Sequence, residues 1–148
     1  MALSAQQLAQ ACADAMWADD KASQGLGMAI ESMAPGRSEL SMTVREDMVN
    51  GHSICHGGFI FTLADSAFAC NSENFNTVAA GVRIEFLAPG KLGDRLTAVA
   101  EQVHQGGRTG VYDVVVTNQE ARKLAVFRGN SHRIGGALVD ENTGESQL

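Results

Sequence analysis

The chain has 148 residues, of which 45% are hydrophobic, 19% are charged and only two are prolines. This composition is typical of one soluble globular domain over residues 1–148 and excludes a disordered chain. The net charge of −6 excludes the broad basic surface of a nucleic-acid-binding protein, and no apolar run is long enough to predict a membrane span or an export signal.

The first predicted element is a helix over about residues 4–24. Apolar residues recur at helical spacing from Leu8 to Met16, as on the buried face of a helix. Ser4 is a candidate cap, because Gln7 follows three residues later. Gly25 and Gly27 are expected to end the helix.

Two strands are predicted next. Residues Met28 to Met33 are expected to form a short strand before the turn signal Pro35-Gly36. Residues Glu39 to Val44 then alternate polar and apolar in strict register, which predicts a strand with one buried face.

A central helix is predicted after the glycine-rich segment from Asn50 to Gly58. The following residues, Phe59 to Cys70, are apolar nearly all round, as expected of a helix that other structure encloses. Gly57 and Gly58 would begin this helix.

Four further strands are predicted from turn signals that divide apolar segments: Thr77–Leu87, Arg95–His104, Thr109–Asn118 and Lys123–His132. We expect hairpin connections between them, and therefore an antiparallel meander. The acidic, polar tail over about residues 137–148 is expected to fray. The element order predicts an α+β fold in which one helix covers one sheet face. The exposed edges and second face then favour self-association.

Three cysteines, Cys12, Cys55 and Cys70, are widely separated and include no CxxC pair. Their odd number and spacing are typical of free thiols in a reducing compartment. The sequence therefore predicts a cytoplasmic location.

The start of the central helix has the features of an anion-stabilising site. The unpaired N–H groups and the dipole of a helix N-terminus act as a partial positive charge, and Gly57 and Gly58 allow a substrate to approach the backbone closely. Hydrolysis of an ester-like bond needs such donors at the developing oxyanion, together with a group that attacks or activates water.

Asp65 is the candidate for that second group. It is the only charged residue between His56 and Glu73 and lies among Leu, Ala and Phe residues, where desolvation would raise its pKa. The alternative is an ordinary carboxylate on a solvated helix face or in an ion pair. Eight residues of helix separate Asp65 from Gly57 by about 12 Å, so one helix cannot bring both to one carbonyl. A site shared between two antiparallel copies could do so.

Other candidates each have a structural alternative. Asn50 could orient the attacking water or the ester-like bond, but Asn-Gly is also a common turn pair. His56 could act in catalysis or cap the helix. Lys91 and Arg108 could bind phosphate groups of a ligand or be solvated surface residues.

Two further arrangements are disfavoured. His52 and His56 are four residues apart, but the glycines on either side of them, Gly51 and Gly57, and the lack of a nearby carboxylate argue against a metal site. Cys55 and His56 are adjacent and would point to different faces, so a Cys–His dyad is not expected.

The segment Val49–Gly58 followed by Leu63-Ala64-Asp65 resembles the signature of hotdog-fold acyl-CoA thioesterases. Further segments resemble the branch of that family that acts in phenylacetic acid degradation: Phe86–Gly90, Gly93-Asp94, His104–Gly106, Thr109–Asp113 and Phe127–Gly136. The resemblance covers most of the chain from Met28 to Gly136.

This resemblance implies a hotdog fold, in which an antiparallel sheet wraps a central helix, and subunits that pair into dimers and then a tetramer. It implies hydrolysis of phenylacetyl-CoA or its ring-hydroxylated derivatives, with no cofactor beyond the coenzyme A of the substrate. Asp65 would be the nucleophile or base, helped by Asn50, His56 and the main-chain N–H of Gly57. A hotdog dehydratase or hydratase using His56 and a noncatalytic acyl-CoA-binding domain are the alternatives.

Overall fold

The computed structural model describes residues 1–70 and 73–148. Three α-helices and six strands follow in chain order: α1 (Ala5–Ala18), α2 (Lys21–Gly25), β1 (Ala29–Ala34), β2 (Arg37–Thr43), α3 (Gly57–Ala69), β3 (Thr77–Phe86), β4 (Arg95–Gly106), β5 (Thr109–Thr117) and β6 (Lys123–Arg133). A single 3-10 turn, Glu46–Met48, lies between β2 and α3. The predicted strands and central helix are confirmed.

One antiparallel sheet has the strand order β1-β2-β4-β5-β6-β3. Helix α3 packs on one face of it and contacts five of its six strands. Fully buried side chains fill the space between them, led by Leu40 and Met42 of β2, Leu63 of α3 and Leu96 of β4. The predicted α+β layout, with the sheet around a central apolar helix, is therefore confirmed.

The predicted hairpin between β3 and β4 is wrong. Strand β3 pairs with β6 at the far edge of the sheet, with Phe86 opposite Ala125. The connection from β3 to β4 crosses one end of the sheet: the Leu87 N–H donates to Leu124 O at 2.8 Å, and the Gly93 N–H donates to Val44 O at 2.9 Å. The two turn signals in this connection bend it twice, so its ends reach different strands instead of folding back on each other.

The N-terminal helix is interrupted, so the prediction of one helix over residues 4–24 is only partly correct. Ser4 and Gln7 form the predicted capping box at the start of α1. Asp19 ends α1, and Asp20 caps α2 by accepting a hydrogen bond from the Ser23 N–H at 3.0 Å. A short polar side chain that bonds the backbone locally favours such a break over a continuous helix.

The tail also differs from the prediction, because residues 137–148 do not fray at their start. Leu138 and Val139 are each 1% exposed and pack with Cys12 and Ala15 of α1. The Asn74 side chain accepts hydrogen bonds from both of their N–H groups, at 2.8 and 2.9 Å. Two apolar residues with satisfied backbone groups are enough to anchor a segment whose remaining residues are polar.

Strand β3 is the most exposed strand of the sheet and has a free edge. Its apolar residues Val78, Val82 and Phe86 are 47%, 37% and 53% exposed. Exposed apolar side chains on a free strand edge are features of a surface that pairs with another chain. No helix in the described ranges is both long and apolar enough to cross a membrane.

Candidate active site

The first turn of α3 leaves one backbone donor available. His56 caps the helix, and its Nδ1 accepts a hydrogen bond from the Gly58 N–H at 2.9 Å. The Phe59 N–H donates to His56 O at 3.0 Å. The N–H of Gly57 donates to no residue in the part of the chain that the structure describes, so it is the donor that an incoming oxyanion would meet.

The cap also determines the state of the His56 ring. Because Nδ1 accepts a hydrogen bond, a neutral ring carries its proton on Nε2. The side chain is exposed, so that N–H can donate to a bound ligand. The sequence left two roles open for His56, and the structure shows the capping role. Nε2 remains available for the other role, which is catalysis.

Asn50 forms the turn that leads to the helix. Its Oδ1 accepts hydrogen bonds from the N–H groups of His52 and Ile54, at 2.9 and 3.4 Å. Its own N–H donates to Ile54 O at 2.8 Å. The turn role expected for an Asn-Gly pair is therefore present, and Nδ2 donates to none of the described residues.

Asn50 and Gly57 line one apolar groove of about 500 Å³. Hydrophobic residues form most of its wall, namely Ile54, Cys55, Ile60, Phe86, Leu87, Ala88 and Pro89. A concave apolar surface with a few convergent polar groups is the usual form of a small-molecule site. The groove is open at the sheet edge, where Phe86 and Leu87 are more than half exposed.

Phe86 was not singled out from the sequence as a site residue, although it lies in a motif that carries the family resemblance. It comes at the end of β3, and its ring lies against the backbone of Gly57. In the sequence, the signal that could have identified Phe86 is its position three residues before Pro89-Gly90. This connection returns the chain to the groove.

Asp65 lies two turns further along α3 and does not line the groove. Its side chain is half-buried, and burial raises the pKa of its carboxyl above the usual 3.8, with a smaller contribution from the charge of Asp20. None of the ion pairs or side-chain hydrogen bonds found among residues 1–70 and 73–148 includes Asp65. The alternative of a carboxylate paired with a distant arginine is therefore not what this chain contains.

Cys55 contributes its side chain to the groove wall but is not a nucleophile. It is buried, and burial raises the pKa of its thiol to about 11. The thiol is therefore protonated at neutral pH. The described residues contain no group of three or more His, Cys, Asp and Glu side chains that could hold a metal ion.

Lys91 and Arg108 are not brought together within one chain. Lys91 is exposed in the crossing connection, one residue beyond Gly90, which packs against Cys55. Arg108 is exposed in the turn between β4 and β5, at the opposite end of the sheet. The length of β4 separates the two by roughly 30 Å.

Comparison with known proteins gives consistent matches. The model of the thioesterase superfamily matches residues 52–125. An Escherichia coli protein named acyl-coenzyme A thioesterase PaaI is 50% identical over 131 residues, which are 87% of this chain and 94% of the relative.

Solved structures agree with the sequence matches. The structure of the E. coli PaaI protein from the phenylacetic acid degradation operon superposes with a TM-score of 0.88 at 48% identity, covering 90% of this chain and 99% of that one. A Streptococcus pneumoniae hypothetical thioesterase solved with coenzyme A superposes with a TM-score of 0.71 at 34% identity, covering 73% of this chain and 89% of that one.

Proposed function

The chain belongs to the thioesterase superfamily and is an acyl-CoA thioesterase with a hotdog fold, and on that premise we propose that it hydrolyses phenylacetyl-CoA or ring-hydroxylated phenylacetyl-CoA. The products are the free acid and coenzyme A, and the only other reactant is water. Similarity to a protein of a phenylacetic acid degradation operon supports this choice. The apolar groove, with Phe86 in its wall, is suited to an aromatic acyl group.

The observation that carries the proposal is the unpaired N–H of Gly57 at the start of α3, within an apolar groove. Attack on a thioester places negative charge on the carbonyl oxygen. The Gly57 N–H and the helix dipole stabilise that charge, and a single donor of this kind contributes about 3 kcal/mol to lowering the barrier. Nδ2 of Asn50 and Nε2 of His56 are further donors for the same carbonyl.

The second half of the site comes from another copy of the chain. Helix α3 begins beside Phe86, the end of β3, and ends at Ala69, shortly before the start of β3 at Thr77. Helix and strand therefore run in opposite directions. If two β3 edges pair antiparallel about a two-fold axis, the start of one β3 lies beside the end of the other.

This pairing would carry the C-terminal half of each α3 toward the N-terminus of the other α3. The Asp65 of each subunit would then approach the Gly57 of its partner, and each dimer would have two equivalent sites. The free edge and the exposed apolar residues of β3 support the arrangement. By resemblance, two such dimers would form a tetramer.

Asp65 would act as base or nucleophile. As base, it removes a proton from water while the hydroxide adds to the thioester carbon, and the carbon–sulfur bond then breaks to release coenzyme A. As nucleophile, its oxygen displaces the thiolate and forms a mixed anhydride that water hydrolyses. A half-buried carboxylate with a raised pKa suits both routes. Incorporation of oxygen-18 from water into Asp65 in a single turnover distinguishes them, since only the anhydride route gives it.

The coenzyme A part of the substrate needs cationic partners for its phosphates. Lys91 is close to the mouth of the groove in the same chain. Antiparallel pairing of the β3 edges would bring the β4–β5 turn of the partner, which carries Arg108, toward that mouth. Gly58 would let the thioester approach the helix closely, because it has no side chain.

A thiol-trapping assay tests the proposal. Phenylacetyl-CoA, its 3- and 4-hydroxy derivatives and hexanoyl-CoA as a matched alkyl thioester are compared by kcat/KM. We expect the aryl thioesters to be preferred by at least about tenfold. Equal values would contradict aryl specificity while leaving the thioesterase activity intact. Binding without thiol release would favour the acyl-CoA-binding alternative, and hydration of an enoyl-CoA would favour the hydratase.

A further inference from the structure

A line of hydrogen bonds joins α2 to α3 beside Asp65. The Ser23 hydroxyl lies 2.6 Å from Oδ2 of Asp20 and 2.7 Å from the hydroxyl of Ser66. Ser23 is 1% exposed, whereas Asp20 and Ser66 are half-buried. Ser66 directly follows Asp65 in the chain.

The direction of these bonds follows from the number of protons. A carboxylate only accepts, so the Ser23 hydroxyl donates to Asp20. The Ser23 oxygen must then accept from the Ser66 hydroxyl. The same carboxylate accepts from the Ser23 N–H at 3.0 Å, which closes the cap of α2. Only this assignment of donors and acceptors gives every group in the network a hydrogen-bond partner. A buried network of this kind holds its members in place.

Asp65 itself has no such support, because no residue in the described ranges bonds to its carboxylate. Its orientation therefore depends on the contacts of the residue next to it, Ser66, whose hydroxyl bonds to Ser23. Resting on the proposed role of Asp65, we propose that Asp20, Ser23 and Ser66 are positioning residues, which clamp α2 to α3 and fix Asp65 against its target in the partner. Helix α2 lies outside residues 52–125, the part that the superfamily model matches.

The clamp also places a charge near Asp65. Asp20 is the residue whose charge raises the pKa of the Asp65 carboxyl, after burial. Asp65 is the only charged residue of α3, and Asp19 and Lys21 beside the cap are exposed. Arg83 and Glu85 lie on the exposed strand β3. The charged residues of the other strands beneath α3 alternate with buried ones or lie at strand ends: Arg37, Glu39, Arg95, Glu101, Asp113, Lys123, Arg128 and Arg133.

Two variants test the clamp. Ser66→Ala removes the donor to Ser23 and should lower kcat for phenylacetyl-CoA by about tenfold with KM changed less than about twofold, because misplacement of a reacting group acts on the chemical step. Ser66→Thr keeps the hydroxyl and should restore most of the rate. Asp20→Asn removes the charge and should move the acid limb of the kcat profile to lower pH.

Ser38→Ala is the matched control. Ser38 is as buried as Ser23 and also holds α3, since its hydroxyl donates to Ala67 O at 2.6 Å, but it does not touch the clamp. Its loss should lower the melting temperature as Ser66→Ala does while leaving kcat within about twofold of wild type. An equal loss of kcat in Ser38→Ala, or an acid limb unmoved in Asp20→Asn, would overturn the clamp.

The variant Asp65→Asn distinguishes a failure of the clamp proposal from a failure of the proposed mechanism. Wild-type turnover by Asp65→Asn would reject the role of Asp65, on which the clamp rests. A disabled Asp65→Asn together with normal kinetics in Ser66→Ala and Asp20→Asn would reject the clamp alone. In the Asp65→Asn background, Ser66→Ala should cause no further loss of the residual rate.

Discussion

The ring of Phe86 lies against the backbone of Gly57, so close that a methyl group on the glycine would come within 3.0 Å of Cζ. The ring therefore occupies the space that a side chain at residue 57 would need. It is 53% exposed, so it remains free to move when a ligand enters. Gly57 and Phe86 therefore depend on each other, which gives the first prediction.

Gly57→Ala should lower kcat/KM by about 100-fold, because the new methyl group displaces the Phe86 ring and crowds the carbonyl site. Gly51→Ala is the matched control, since a methyl group there meets nothing within 4 Å. Steady-state kinetics on both variants, with melting curves to confirm folding, provide the measurement. Equal kinetics for the two variants would contradict the assignment of Gly57.

Asp65→Asn should lower kcat by about 100- to 10,000-fold, the usual contribution of a positioned acid–base group. Asp14→Asn makes the same change at an exposed site of α1 and should leave kcat unaltered. Size-exclusion chromatography should give the same oligomer for both variants. Near-normal turnover by Asp65→Asn would end the proposed mechanism.

The raised pKa of Asp65 predicts opposite pH effects on activity and stability. Activity needs the carboxylate, so kcat should fall as pH decreases through a pKa above 3.8. The folded state binds this proton more tightly than the unfolded state, so the carboxylate destabilises the protein at higher pH.

Asp65→Asn should accordingly melt at a higher temperature than wild type at pH 7. The difference in melting temperature between the variant and wild type should become smaller as the pH is lowered through the raised pKa of Asp65 toward the usual pKa of 3.8. Thermal melts of both proteins across this range are the measurement. A constant difference in melting temperature at every pH would show that ionisation of Asp65 does not destabilise the folded protein.

Val82→Lys should break the dimer, because it places a charge in the middle of the free β3 edge. Activity should fall together with the fraction of dimer measured by sedimentation. Val103→Lys makes the same change at a side chain of β4 that is 52% exposed and should leave both unaltered. A fully active monomer would exclude a site built from two chains.

Mixed subunits test the shared site directly. When Asp65→Asn and Gly57→Ala subunits exchange at equal amounts, half of the dimers are mixed, and each mixed dimer has one intact site. Activity should therefore return to about one quarter of the wild-type value. Lack of recovery after demonstrated exchange would contradict a site shared between two chains.

The local features of this fold could be predicted from local patterns. The alternation in β2, the apolar run of α3 and the Ser4–Gln7 cap each depend on residues that are near one another in the chain. The partner of β3 could not be predicted, because β3 pairs with β6 and its partner residues lie 39 to 56 positions later in the chain, from Ala125 to Arg133. Its pairing depends on the whole sheet.

The candidate site was predictable to a similar degree. The glycines and Asp65 were singled out because their chemistry is unusual for their surroundings, and Asn50 because of its place in the motif that carries the family resemblance. Phe86 and the proposed clamp of Asp20, Ser23 and Ser66 were missed, because residues of these types are common. The contacts of Phe86 with Gly57 and of Ser23 with Ser66 join residues far apart in the chain. Lys91 and Arg108 stay predictions, since their meeting requires a second chain.

All three cysteines are buried, and burial raises their pKa values to about 11, 11 and 12 for Cys12, Cys55 and Cys70. A dye that reacts with thiolates will therefore meet almost no reactive thiol on the folded enzyme. In a coupled assay the colour comes from liberated coenzyme A, so slow variants can be measured at high enzyme concentration against a low background. A burst of protein-derived colour would instead report unfolding.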